Sequence, residues 1–155
     1  MKKKSILFTA ATLFLCLSLL LCGCQRKPKM IVGELSDLNV RDGLGITLTV
    51  KPETLTATRG DFVLQNSSDI DYGYGDSFYV EILTQDGWKQ LKADTISHLL
   101  MYYASPDETI TFEYGWEHMY GKLPAGDYRL LKEILTPDFP KNKDSFYISC
   151  EFTIE

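Results

Sequence analysis

Residues 146–154 read Phe-Tyr-Ile-Ser-Cys-Glu-Phe-Thr-Ile. Phe146, Ile148, Cys150, Phe152 and Ile154 alternate with Tyr147, Ser149, Glu151 and Thr153. A two-residue period belongs to a strand with one face on a core and the other on water. The parity puts Cys150 on the core side, where a thiol acts as a small hydrophobe.

The same signal recurs upstream. Ile46, Leu48 and Val50 alternate with Thr47, Thr49 and Lys51, and Pro52 ends that run. Phe62 and Leu64 share a face, closed by the turn-forming run Asn66-Ser67-Ser68-Asp69. Phe78, Val80 and Ile82 share another, and Asp86-Gly87 reads as a hairpin turn into Trp88–Leu91. Ile110 and Phe112 alternate after the Pro106-Asp107 turn, and Pro124-Ala125-Gly126 leads into a strand from about Asp127 to Leu135. Trp116–Tyr120 reads as a single helical turn or 3₁₀ piece, and His98–Tyr103 is apolar without firm alternation. No segment keeps a helical stripe for three turns. Seven or eight short strands with regular turns predict an all-β, antiparallel β-sandwich.

The N-terminus has a different character. Lys2, Lys3 and Lys4 precede an apolar run, Ile6–Leu21, which meets Leu21-Cys22-Gly23-Cys24. This resembles a bacterial lipoprotein signal peptide, cut before a cysteine that receives lipid. Cys24 is the cysteine in suitable context, since Cys22 follows Leu21 and Cys16 follows Phe14-Leu15. The expected organisation is a signal peptide at 1–23, a tether and N-terminal segment at 24–44, and the sandwich at 45–155. Of the four cysteines, Cys150 alone lies beyond the leader and its cleavage site. With Cys24 lipidated, an intrachain disulfide is excluded and the core must hold the fold.

The composition, 45% hydrophobic and 24% charged, fits a globular domain. The net charge is -5, and losing the leader removes three lysines and no acid. Nucleic acid is therefore not an expected partner, because phosphate needs clustered Lys and Arg. Asp69-x-Asp71-x-Gly73-x-Gly75-Asp76 invites a calcium reading, but Gly73 stands where a ligand is needed and Tyr74 where the loop glycine belongs. It reads as a polar turn, with Tyr72 and Tyr74 in a Gly-rich loop. His98 and His118 lack partners at metal-ligand spacing. No catalytic motif appears, so no enzyme activity, metal or cofactor is expected.

Tyr74-Gly75, Phe78-Tyr79-Val80-Glu81, Asp86-Gly87-Trp88, Trp116-Glu117, Tyr120–Leu130, Lys132-Glu133 and Glu151–Ile154 occur in an order that resembles a bacterial immunoglobulin-like domain of small exported lipoproteins. The resemblance covers roughly Ile46–Glu155. It implies an Ig-like sandwich and no catalytic residues. Within it, Leu123–Tyr128 reads as a tyrosine corner: Gly126 lets the chain turn, and the Tyr128 hydroxyl is expected to reach backbone upstream. Antibody domains have paired cysteines with a core tryptophan between them, and this chain does not.

The expected function is a non-catalytic lipoprotein held at the cell membrane or envelope through Cys24, facing outward and binding protein or glycan. Phe139, between Pro137 and Pro140 in a polar loop, is the candidate partner contact. Tyr102, Tyr103 and Trp116 are further aromatic candidates. The alternative is a protease inhibitor. A family of bacterial intracellular proteinase inhibitors also has a sandwich fold, and Trp116 with Gly126-Asp127-Tyr128 resembles its pattern, although an export signal argues against an intracellular site.

Overall fold

Alternation becomes pairing in two antiparallel sheets. The computed structural model describes residues 29–93, 100–141 and 144–155; the expected leader, Cys24 and His98 lie outside them. The strands are β1 (Val32–Leu35), β2 (Ile46–Val50), β3 (Arg59–Asn66), β4 (Tyr72–Thr84), β5 (Gly87–Leu91), β6 (Tyr102–Ala104), β7 (Thr109–Gly115), β8 (Gly126–Leu135) and β9 (Ser145–Ile154). One helical turn, α1 (Glu117–Tyr120), follows β7. The smaller sheet runs β2-β3-β7. The larger runs β1-β5-β4-β8-β9, with β6 also on β4. These orders match the ABE and C′CFG sheets of an immunoglobulin-like sandwich.

Among the described residues nine strands form, more than the expected seven or eight; the additional ones, β1 and β6, lack an alternating apolar face. β1 has three exposed residues among its four, and β6 has two among its three. Chain 36–41 then links both edges of the larger sheet: Ser36 N–H donates to the Trp88 carbonyl, and Tyr147 exchanges backbone bonds with Asn39 and Arg41. The stretch expected as tether and N-terminal segment therefore contributes pairing from Ile31 onward, whose carbonyl accepts from the Lys92 N–H.

Apolar parity decides what goes between the sheets. Ile46, Phe62, Leu64, Val80, Leu130, Ile134, Ile148 and Phe152 fill the interior. Near one end, aromatic rings interlock. Phe152 packs against Phe62 at 5.8 Å and stacks on Trp116 at 5.7 Å and Tyr128 at 5.8 Å. Each such pair adds roughly 0.5–1.5 kcal/mol to simple burial. Trp116, proposed from sequence as a possible contact, is fully buried, and its Nε1–H donates to the Ala57 carbonyl at 3.0 Å.

The Tyr128 hydroxyl donates to the Pro124 carbonyl at 2.9 Å and lies 3.8 Å from Met30 Sδ. Gly126 sits under the Tyr128 ring, 3.5 Å from it at the position a Cβ would take. The corner therefore joins the start of β8 to the chain's entry point. Tyr128→Phe removes the donor and leaves the Pro124 carbonyl short of a partner. The expected cost is about 0.5–1.5 kcal/mol, read as a lower denaturation midpoint; an unchanged midpoint would remove the corner from the stability account.

Candidate functional site

The register of β4 on β8 shifts midway. Gly73 and Tyr74 face Leu135 and Ile134, whereas Phe78 faces Lys132. Three residues of β4, Gly75, Asp76 and Ser77, thus oppose Glu133 alone. Such a bulge turns carbonyls out of the ladder and bends the strand. Here two of them turn inward to Lys132.

Lys132 has the same parity as Leu130 and Ile134 and points between the sheets, with no exposed surface. Its Nζ donates to the carbonyls of Gly75 and, at 3.2 Å, Ser77. Its third partner is the Tyr114 hydroxyl at 2.8 Å. The nitrogen also lies 4.6 Å from the Phe112 ring centre and 5.5 Å from that of Tyr74. A buried charge persists only when it is hydrogen-bonded and paired or lodged against compensating dipoles. This cage suits both protonation states. An ammonium donates to all three oxygens, while a neutral amine donates to two carbonyls and accepts from the Tyr114 O–H.

Tyr74 passes the arrangement outward. It is buried, and its ring stacks on cross-strand Tyr102 at 5.6 Å. The Gly-rich loop expected around Tyr72 and Tyr74 is instead the first part of β4, with both rings buried. The glycines serve close packing: a Cβ on Gly73 would meet Leu135 Cβ at 3.1 Å. Burial, then Glu108, Tyr102 and Asp76, raise the Tyr74 hydroxyl above its ordinary pKa. Buried Asn66 ties the β3–β4 turn to β6, donating from Nδ2 to the carbonyls of Ile70 at 2.7 Å and Ala104 at 2.8 Å.

Beyond these supports the surface is apolar. Leu100, Met101, Tyr102 and Tyr103 are 54%, 44%, 41% and 56% exposed, with Ile70 close by. Four consecutive large apolar side chains in water are uncommon on a protein surface and make this strip the candidate interaction site. Tyr102 and Tyr103 were candidates in the sequence; Leu100, Met101, Ile70 and the supporting Asn66 and Lys132 were not. The missing alternation over 98–103 was the available signal.

Phe139 lies in the β8–β9 loop, at the same end of the sandwich. It is half-buried, its N–H bonded to the Thr136 carbonyl at 2.9 Å. β6 and β8 flank β4, so about two strand spacings, ~10 Å, separate it from the strip. Cys150 is buried on the core face, and burial pushes its thiol pKa up. His118 is exposed on α1. Among the described residues, no three His, Cys, Asp or Glu side chains gather to hold a metal ion, and no helix is long and apolar enough to cross a membrane.

Burial lowers the Lys132 pKa from 10.5 to about 8. The folded chain then binds fewer protons than the unfolded chain between those values. This group's contribution is present above 10.5 and lost as pH falls through about 8. Buried tyrosines oppose it above pH ~10, since Tyr120, pushed up to about 12 by burial, favours folding only while neutral. Lys132→Met leaves the bulge carbonyls short of donors. It should cost about 1–3 kcal/mol near pH 9.5, and less near pH 7, where the wild type bears a buried charge. Denaturant midpoints of both chains at the two pH values check this; equal differences would contradict the assignment.

The family model described as Bacterial Ig-like domain matches residues 42–152. No curated protein matches the chain. The matched span runs from just before β2 to near the end of β9, covering both sheets except β1. With its sheet orders and corner, the chain belongs to the bacterial Ig-like domain family.

Proposed function

We propose that this protein is a non-catalytic, lipid-anchored module of the bacterial cell envelope. It binds protein or glycan with the end of the sandwich remote from its anchor. The observation that carries this reading is the exposed run Leu100–Tyr103 and its position. The run pairs with the Tyr72–Tyr74 end of β4. Met30, the first apolar residue after the tether, meets Tyr128, which faces Ile82 near the other end of β4. The β8 partners of Tyr74 and Ile82, Ile134 and Tyr128, are six residues apart, so at about 3.3 Å per residue the two points are roughly 20 Å apart. Lipid on Cys24 would hold the Met30 end near the membrane and leave the strip facing away. Two acyl chains on one cysteine supply stable anchoring, which an acidic sandwich lacks on its own.

Two measurements in cells test this. Fatty-acid analogue labelling should be lost in Cys24→Ser; retained label refutes the anchor. A photo-crosslinking residue at Tyr103 should give a discrete adduct, whereas one at Lys122, exposed near the corner, should not. Equal adducts from both positions, or none from Tyr103, would overturn the binding end.

A further inference from the structure

We infer that the Leu100–Tyr103 strip receives a basic, partly apolar polypeptide segment in extended form, laid along β6. This rests on the proposed binding end and names its occupant. Three observations converge. The first is the apolar run itself, in which Leu100 and Tyr103 are each more than half exposed. The second is charge. Residues 67–77 and 100–111, which together form this surface, contain Asp69, Asp71, Asp76, Asp107 and Glu108 and not one Lys or Arg. All five acids are exposed.

The carboxylates flank the strip on both sides. Gly75, beside Asp76, lies against the Leu100 carbonyl, 3.3 Å from it at the Cβ position. At the other end, the Glu108 carboxylate accepts from the Ser105 N–H at 2.8 Å, and Asn66 holds Ile70, between Asp69 and Asp71, to Ala104. An apolar ridge between carboxylates complements a chain whose apolar residues are flanked by Lys or Arg. It repels anionic lipid, phosphate polymers and nucleic acid.

The third observation is backbone. Among the described residues β6 pairs with β4 alone, and no described strand takes up the main-chain groups of its outer edge. An added strand draws affinity from the backbone and selectivity from alternate side chains. Tyr102 and Tyr103 face opposite sides of β6 and offer rings on either side of such a strand. The Lys132 cage and Asn66 hold this edge in place, which lowers the ordering cost of binding.

The test is selection of a random 12-residue peptide library against the detergent-solubilised full chain. Enriched peptides should carry net positive charge with apolar residues. Their affinity should fall about tenfold with Tyr103→Ser and several-fold with Asp76→Asn, and should drop as salt rises. Both side chains are exposed, and unchanged denaturation midpoints in the variants would show that folding is intact. Enrichment without charge bias, or equal binding by Tyr103→Ser, overturns the proposal. If a neutral oligosaccharide array binds through Tyr103 while the library yields nothing, the peptide occupant fails and the binding end stands. If wild-type chain self-associates and Tyr103→Ser does not, the occupant is a second copy. Loss of the Tyr103 crosslink in cells would remove the binding end itself.

Discussion

The Lys132 amine must sit between two sheets without losing its hydrogen bonds, and one end of the molecule is arranged around that requirement. Two carbonyls of β4 have to leave the ladder to meet it, which calls for the extra residues of the Gly75–Ser77 bulge. The other sheet supplies the Tyr114 hydroxyl and the Phe112 ring. A single side chain thereby ties β8 to β4 and β7 across the core. Tyr74, over the same nitrogen, carries the arrangement to Tyr102 on the outside. The opposite end is organised by apolar contact instead, with Phe62, Trp116 and Phe152 in mutual contact and Tyr128 stacked on Phe152.

A second buried charge shows the other solution to the same problem. Glu81, with no exposed surface, lies on the outer face of the larger sheet and takes a 2.6 Å ion pair from Arg129. Arg129 in turn lies over the Trp88 ring at 4.7 Å. Glu81 Oε1 has no hydrogen-bond partner, so the pair is only half satisfied. Removing Arg129 alone would strand a buried carboxylate, at a cost of about 3–5 kcal/mol.

Strands whose two faces see different environments were legible from sequence. β2 and β9 announce themselves by parity, and β8 by the Leu123–Tyr128 turn that leads into it, with its glycine and tyrosine. What escaped had a physical reason in each case. Tyr72 and Tyr74 sit among Gly and Asp, a loop-like composition, yet Gly73 is small because Leu135 packs against it. Lys132 reads as a solvent-side residue until the bulge that satisfies it is known. β6 has no alternation because Tyr102 and Tyr103 are both exposed. The apolar 98–103 run was visible in the sequence only through that irregularity. Phe139, singled out for its two flanking prolines, is half-buried at the same end of the sandwich but lies beyond β4 from the strip.

Native-state hydrogen exchange on the full-length Lys132→Met chain tests the central claim most directly. If the amine holds the bulge and, through Tyr74, the binding edge, amides of residues 73–78 and 102–104 should exchange faster than in the wild type. Amides in β2 and along β9 from Ile148 to Phe152 should keep their protection. Uniform acceleration over both sheets, or no change in β4 and β6, would contradict the account.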